Sequence, residues 1–496
     1  MKRIVIPLFL FFSGCMVGPK YKTPEVCLPE TFSEQKSAEA CTPSEDCLCT
    51  WWKQLNDPKL DAFLEEAFQA NFDFLIAIEK IEQARAQYRI ENSYLWPEID
   101  LAATATRSLY SRNFFTGALS GANASSTSGS ASTSSSFPFQ NFFQIGLDAI
   151  WELDFWGKFR RAKNAALYQW EATQEDAQNV LISVLSEVAV NYVNIRALQQ
   201  QIFLAQQKIA IDERQLSLAL VLFEAGLDNQ IDVEALLAIL DSDKAALPVL
   251  ETSLKQSIYA LALLLGRQPE GLAVEFQEVQ PIPSGFGKVP VGIPSDLLRR
   301  RPDIRSAERQ LAAATEEIGV AVADLFPHIS LTGTTISGGS ETGSSYGYQS
   351  SHLNNLINAN SRTWSIGPGI RWDLIDFGRT FANIAVQKSL QKQMLLTYEQ
   401  TIIAALKDVE GALVAYFEEQ KRQHFFTGQV GADRRSLELT EDLFQAGLVS
   451  ETQLLTARKT VIDAENALVQ SNQALTSDLV ALYKALGGSW ECTYSP

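Results

Sequence analysis

The chain contains one long unit twice, with the second copy about 221 residues behind the first. Leu216, Phe223, Ala225, Gly226, Leu227, Leu261 and Gly266 reappear at Leu437, Phe444, Ala446, Gly447, Leu448, Leu482 and Gly487 without a gap. Upstream, Trp151 through Gly157 answers Trp372 through Gly378 at the same offset. Further up, Trp96-Pro97-Glu98-Ile99 answers Phe326-Pro327-His328-Ile329 at an offset of 230, so the copies differ in length by nine residues between these blocks. Whatever the unit folds into must be built twice and be compatible with a second version of itself.

Within each unit the order reads helix, strand, strand, long helix, turn, helix. Leu60 to Leu95 carries an amphipathic helical pattern that Pro97 stops, because the residue before a proline is pushed out of the helical region. The period then falls to two. Phe143, Ile145, Leu147, Ala149, Trp151 and Leu153 alternate with Gln144, Gly146, Asp148, Glu152 and Asp154, with Ile150 the one intruder. Trp364, Ile366, Pro368, Ile370, Trp372 and Leu374 repeat this in copy two. Shorter alternations at Ile99 to Leu109 and Ile329 to Gly333 make four strands of about ten residues, the length that crosses a bilayer as a tilted strand. The hairpin loops are expected in the Ser/Thr/Gly/Ala tract from Thr116 to Ser136 and, in copy two, across Gly338-Gly339 and Gly343 to Gly347. Four strands cannot close a barrel and open edges are not tolerated in hydrocarbon, so several chains must combine. Three chains supply twelve strands, whereas two would supply eight and leave an interior that side chains fill.

From Lys158 to Phe223 there is neither proline nor glycine, which allows a helix of roughly 100 Å at 1.5 Å per residue. Leu181, Val188, Ile195, Ile202, Ile209, Leu216 and Phe223 recur every seven residues, as do Ile402, Val409, Tyr416, Gln423, Val430, Leu437 and Phe444, with only Gln423 polar. A sustained seven-residue repeat marks coiled-coil packing. Each long helix ends at a glycine, Gly226 or Gly447, suited to the left-handed turn that stops a helix, and Asp228-Asn229 or Ser450 can cap the helix that returns.

The amino terminus reads as an address. Lys2 and Arg3 precede an apolar run, Ile4 to Phe12, too short to span a bilayer, and Ser13-Gly14-Cys15 follows. An exported chain enters an oxidising compartment, so Cys27, Cys41, Cys47, Cys49 and Cys492 point to disulfides rather than a zinc site, with an odd one left over. Composition excludes other classes. With 58 acidic against 41 basic residues the net charge is -17, which disfavours nucleic acid. The three histidines, His328, His352 and His424, have no ligand-like spacing, so neither metal nor cofactor is expected. No nucleophile elbow or catalytic carboxylate pair is present, so no catalytic residue is assigned.

In combination, several motifs strongly resemble the TolC-like outer membrane factors, in particular the lipoprotein branch of efflux channels. They are Cys15-Met16-Val17-Gly18-Pro19-Lys20-Tyr21, Trp51-Trp52, Asn56-Asp57-Pro58-Lys59-Leu60, Asn71-Phe72-Asp73, Arg301-Pro302-Asp303-Ile304 with Ala307-Glu308, Phe326-Pro327 and Asp376-Phe377-Gly378-Arg379. The resemblance covers nearly the whole chain. It implies a homotrimer in which a twelve-stranded barrel in the bacterial outer membrane continues into a twelve-helix periplasmic tunnel. It also implies acylation of Cys15 as a lipid anchor, and docking of a periplasmic adaptor fed by an inner-membrane pump. The implied docking residues are Phe223, Gly226, Leu227, Phe444, Gly447 and Leu448, and the implied constriction is formed by Asp228 and Asp232. Those two acids, four apart, are equally readable as first-turn acids favourable to a helix dipole. Where the family commonly has Arg before the tip aromatic, this chain has Leu222 and Leu443, and Gln453 stands opposite Asp232.

The expected organisation is a signal peptide at 1–14, a lipidated extended segment at 15–59 and repeat one at 60–266. Repeat one holds a strand pair at 97–155, a long helix at 158–224 and a returning helix at 231–265. An equatorial linker follows at 267–300, then repeat two at 301–487 with a strand pair at 328–375 and helices at 379–445 and 450–486, and a tail at 488–496. A passive exit duct for small molecules is the function this implies. A surface coiled-coil adhesin is the alternative, and pore conductance separates the two.

Overall fold

The computed structural model describes residues 16–26, 29, 32–33, 51–109, 140–283, 294–332 and 344–488. The signal segment, all six cysteines and the tract from Thr116 to Ser136 lie outside the described residues. In chain order the helices are α1 (Pro58–Ala70), α2 (Phe72–Ser93), α3 (Lys158–Glu224), α4 (Gln230–Leu264), α5 (Pro269–Glu275), α6 (Pro294–Arg300), α7 (Pro302–Ala323), α8 (Arg379–Gln445) and α9 (Glu451–Ala485). The strands are β1 (Glu98–Ser108), β2 (Gln140–Leu153), β3 (His328–Thr332), β4 (Ser344–Ser350), β5 (Arg362–Ser365) and β6 (Gly367–Arg371). The chain divides into two compact units. One comprises residues up to Lys22, Arg85–Tyr168 and Ala312–Lys392, and the other Thr23–Ala84, Gln169–Leu311 and Gln393 onward.

The first unit holds the sheet. Six strand segments replace the four expected, yet they fall on four antiparallel tracks. β2 pairs with β1 along one edge, from Glu98↔Ile150 to Ser108↔Gln140. Its other edge takes β3 at Ile150↔Thr332 and β4 at Ala149↔Ser344, so β3 and β4 lie end to end. β6 and β5 then pair with β3 and β4 as the fourth track, broken at Ile366. Of the loop expected across Gly338-Gly339 and Gly343 to Gly347, Gly338, Gly339 and Gly343 lie outside the described residues, whereas Ser344–Ser350 is strand, which corrects the loop at Gly347; a further described turn lies at residues 351–361, through two short 3-10 turns. The register carries the expected two faces across the tracks. Leu101, Leu147, Tyr346 and Trp364 form one row of the apolar face, and Asp100, Asp148 and Ser365 fall in the next row on the polar face. Pseudo-symmetry extends to side chains: the Trp151 indole donates to the Leu95 carbonyl at 3.1 Å, and the Trp372 indole to the Leu325 carbonyl at 3.1 Å.

The long helices span 67 residues each, with the expected bounds. Asp154 accepts the Phe159 and Arg160 N–H groups at the start of α3, and Asp376 accepts those of Gly378 and Thr380 at the start of α8. The heptad row of α3 is buried at Leu181, Val188 and Ile195 and is exposed by Phe223.

The single helix expected from Leu60 to Leu95 is corrected. Asn71 leaves the helical region at ψ 126°, its Oδ1 accepts the Phe74 N–H, and its Nδ2 donates to the Leu264 carbonyl at 2.8 Å. Copy two breaks at the equivalent residue: Arg301 separates α6 from α7 and donates to the Ala485 carbonyl at 3.0 Å. Each copy thus pins the end of its returning helix to the break in its first helix, satisfying a carbonyl the helix itself leaves open. The linker at 267–300 is not featureless, since it contains α5 and α6.

Candidate functional site

The motif residues singled out in the sequence anchor the second unit. Asp57 caps α1 by accepting from the Lys59 and Leu60 N–H groups, with Pro58 at its first position, and accepts the Tyr192 hydroxyl at 2.7 Å. Arg196, fully buried beside Tyr192, donates to the Tyr192 hydroxyl and to Gln199, Gln280 and the Glu278 carbonyl. Trp51 stacks on Tyr483, whose hydroxyl donates to Gln54 at 2.9 Å.

Polar contacts set the lateral order of the four long helices as α4, α3, α9, α8. Lys244 meets Glu213 at 2.7 Å across α4 and α3. Lys459 meets Asp212 at 2.7 Å, and Gln473 donates to Asn194 at 2.8 Å, across α3 and α9. Arg434 meets Glu465 and Arg458 meets Glu441 across α8 and α9. On the central helices, α9 exposes no large apolar residue among those described and α3 only Phe203 and, near its tip, Leu220, Val221 and Phe223, whereas the flanks are apolar and exposed along their length. Leu237, Ile239, Val249, Tyr259 and Leu263 stand exposed on α4, and Leu396, Ile403, Val414, Phe425 and Leu439 on α8. The sheet has the same form, with β1 and the β5/β6 track each leaving one edge open among the described strands. Exposed apolar stripes on this scale mark an interaction surface.

An ionic cluster that the sequence reading missed lies where α3, α4 and α9 meet. Lys459 reaches Asp212 and Asp243, and Lys208 reaches Asp243 and Asp463. Asp212 is buried, and burial, together with the neighbouring Asp243 carboxyl, pushes its carboxyl up. These residues are far apart in sequence, and only the packing of three helices joins them.

At the tips, the hairpin turns follow the Schellman pattern in both copies. Gly226 has φ +72° and its N–H donates to the Phe223 carbonyl, while the Leu227 N–H donates to that of Leu222. Gly447, at φ +74°, and Leu448 repeat this on Phe444 and Leu443. Asn229 caps α4 by accepting the Asp232 N–H at 3.0 Å, so the cap is Asn229 rather than Asp228. Ser450 and Gln453 form a reciprocal capping box on α9. Phe223, Leu227, Phe444 and Leu448 are all exposed. The structure brings Asp228 and Asp232 together: a hydrogen bond with Asp228 is the main cause raising the Asp232 carboxyl above its ordinary value. Gln453, its counterpart, is used up in the cap.

Cys15 lies outside the described residues, but its neighbours do not. The Val17 N–H donates to the Trp156 carbonyl at 3.1 Å. Arg161 donates to the carbonyls of Val17 and Gly18 and to Glu316 at 2.8 Å, with both charged side chains buried. The residues after Cys15 are thereby clamped at the junction of β2 and α3. No signal in the sequence marked Arg161 for this.

The outer membrane efflux protein family model matches residues 63–267 and 293–488. Nodulation protein T of Rhizobium leguminosarum bv. trifolii is 29% identical over 499 residues, covering 98% of this chain and 97% of that protein. The cation efflux system protein CusC of Escherichia coli (strain K12) is 29% identical over 496 residues, covering 97% of each. The outer-membrane channel OprN superposes with a TM-score of 0.79 at 28% identity, covering 96% of this chain and 100% of that one. The Campylobacter jejuni CmeC outer membrane channel shares the fold at a TM-score of 0.82 and 22% identity. With two efflux-family halves, a mainly helical fold and one antiparallel sheet, the chain belongs to the outer membrane efflux protein family and is a non-enzymatic, TolC-like efflux channel.

Proposed function

We propose that three copies of this chain close into one duct, a twelve-stranded barrel continued by twelve long helices, which serves as the outer-membrane exit of a tripartite efflux system. The observation that carries this is the pair of open flanks. Four sheet tracks and four long helices per chain each end in an uncovered edge, and an open edge is not stable in hydrocarbon. Head-to-tail closure covers every edge. In this reading Cys15 is acylated and anchors the chain in the outer membrane, in agreement with the clamp on residues 17 and 18. The exposed tips around Gly226 and Gly447 receive the periplasmic adaptor, and Asp228 with Asp232 line the constriction. The tip acids then form a ring that favours cations.

Planar-bilayer recording of the purified protein tests the reading. A duct passes steady ionic current, whereas a surface adhesin leaves the bilayer silent.

A further inference from the structure

The internal repeat specifies how neighbouring chains meet. Within one chain, α7 of copy two lies on α3 of copy one, where Arg305 meets Glu175 at 2.7 Å and Arg309 meets Glu171 at 3.3 Å. Moving α7 back by 230 residues and α3 forward by 221, the two repeat offsets, converts this seam into α2 against α8. Arg305–Glu175 becomes Leu75–Leu396, and Arg309–Glu171 becomes Glu79–Lys392. Leu75 and Leu396 are both exposed in the single chain. Glu79 and Lys392 are exposed too, and make no ion pair among the described residues. The shift therefore lands an apolar residue on an apolar residue and an acid on a base, with the signs of the charged pair reversed.

The sheet behaves alike. Trp151↔Leu331 and Leu153↔Ile329, paired within the chain, become Trp372↔Leu101 and Leu374↔Ile99, and all four of these are exposed. The matched indole hydrogen bonds of Trp151 and Trp372 show that local geometry already obeys the same offsets.

We infer that α2 of one copy docks on α8 of the next in this register, with Leu75 packed on Leu396, Glu79 paired with Lys392, and Leu101 of β1 opposite Trp372, the residue that follows the neighbour's β6. The partner is a second copy of this chain, and the inference rests on the closed-ring reading above. Charge complementarity and apolar matching at mapped positions, neither of which the repeat alone would guarantee, support it. One seam of the ring is thus intramolecular and the other intermolecular, built on one plan with different side chains.

The test joins Leu75→Cys and Leu396→Cys in one full-length chain, treats the detergent-solubilised protein with a short bis-maleimide, and reads the product on a denaturing gel, with each single variant controlling for the native cysteines. Covalent trimer is expected. Leu75→Cys with Ile403→Cys, one heptad or roughly 10 Å further along α8, should stay monomeric. A native trimer that links through residue 403 but not 396, or through neither, overturns the register while leaving the ring intact. A native monomer overturns the ring and the register together. Charge exchange decides independently of the cysteine variants. Glu79→Lys and Lys392→Glu should each lower the temperature at which the trimer dissociates, and the double exchange should restore it; a double variant worse than either single one contradicts the pairing.

Discussion

Replacing Arg161 by Met should free the amino-terminal segment. The guanidinium is buried, satisfies the carbonyls of Val17 and Gly18, and faces the buried Glu316 carboxylate. Removing one partner of a buried ion pair costs about 3–5 kcal/mol, because the remaining charge is left without a counter-ion. The double variant Arg161→Met/Glu316→Leu removes that charge and leaves two carbonyls without the guanidinium, of which water can reach that of exposed Gly18, so the loss is that of the half-buried Val17 carbonyl, about 1–3 kcal/mol. The single variant should therefore be the less stable of the two. The Val17 N–H, bound to the Trp156 carbonyl, reports this opening by hydrogen exchange in detergent. At about 1.4 kcal/mol per decade, the single variant should exchange faster by roughly two to nearly four orders of magnitude, and the double variant by roughly one to two. Gly18, at φ +92°, sits so close to Gly319 that an added Cβ would lie 2.6 Å from the Gly319 Cα, so the segment has no slack with which to relax. Equal exchange in the two variants, or no change in either, would falsify the clamp.

Other outcomes follow from local geometry. Gly226→Ala and Gly266→Ala both force a side chain into the left-handed region, at about 1–2 kcal/mol. Only the second also drives a Cβ to 2.6 Å from the Ala70 carbonyl oxygen, so thermal melts should show it to be the more damaging by at least about 1 kcal/mol; the reverse order would contradict the packing. Burial and the nearby Glu419 raise the Asp478 carboxyl. Its contribution to stability is therefore fully present below the ordinary carboxylate range and is lost as pH rises through the raised value. Melts from pH 4 to pH 8 should show Asp478→Asn flattening that decline, and a parallel decline in both proteins would count against it. Asp232→Ala should move the reversal potential under a salt gradient toward zero with little change in trimer stability, whereas an unchanged potential with lower stability would leave Asp232 as a first-turn acid alone.

The features visible in the sequence were those encoded locally. The absence of glycine and proline from Lys158 to Phe223, with a glycine at the turn, marked out the first long helix; the second runs through Gly411, Gly428 and Gly431 and was legible from its heptad row and its repeat of the first. The period-two alternation of β2 needed only its own side chains. What escaped depends on distant partners. The break at Asn71 interrupts an unbroken amphipathic pattern because its side chain finds the Leu264 carbonyl, 193 residues away. The Ser/Gly/Tyr composition of β4 reads as loop. It is strand because β2 offers it an edge, and because Gly347 lets the backbone approach Gly146 so closely that a Cβ would meet it at 2.7 Å. The tip turns, and the one-sided acid pair with Gln453 opposite Asp232, were legible in the sequence, whereas the use of the Gln453 side chain in its own cap required the geometry.

The most direct test of the central claim is the native mass of the full-length protein released from membranes in mild detergent. A closed duct requires three copies, because one chain supplies four of the strand tracks and four of the long helices that the ring needs. A single species of three copies is the predicted result, and a stable species of one or two would contradict the account.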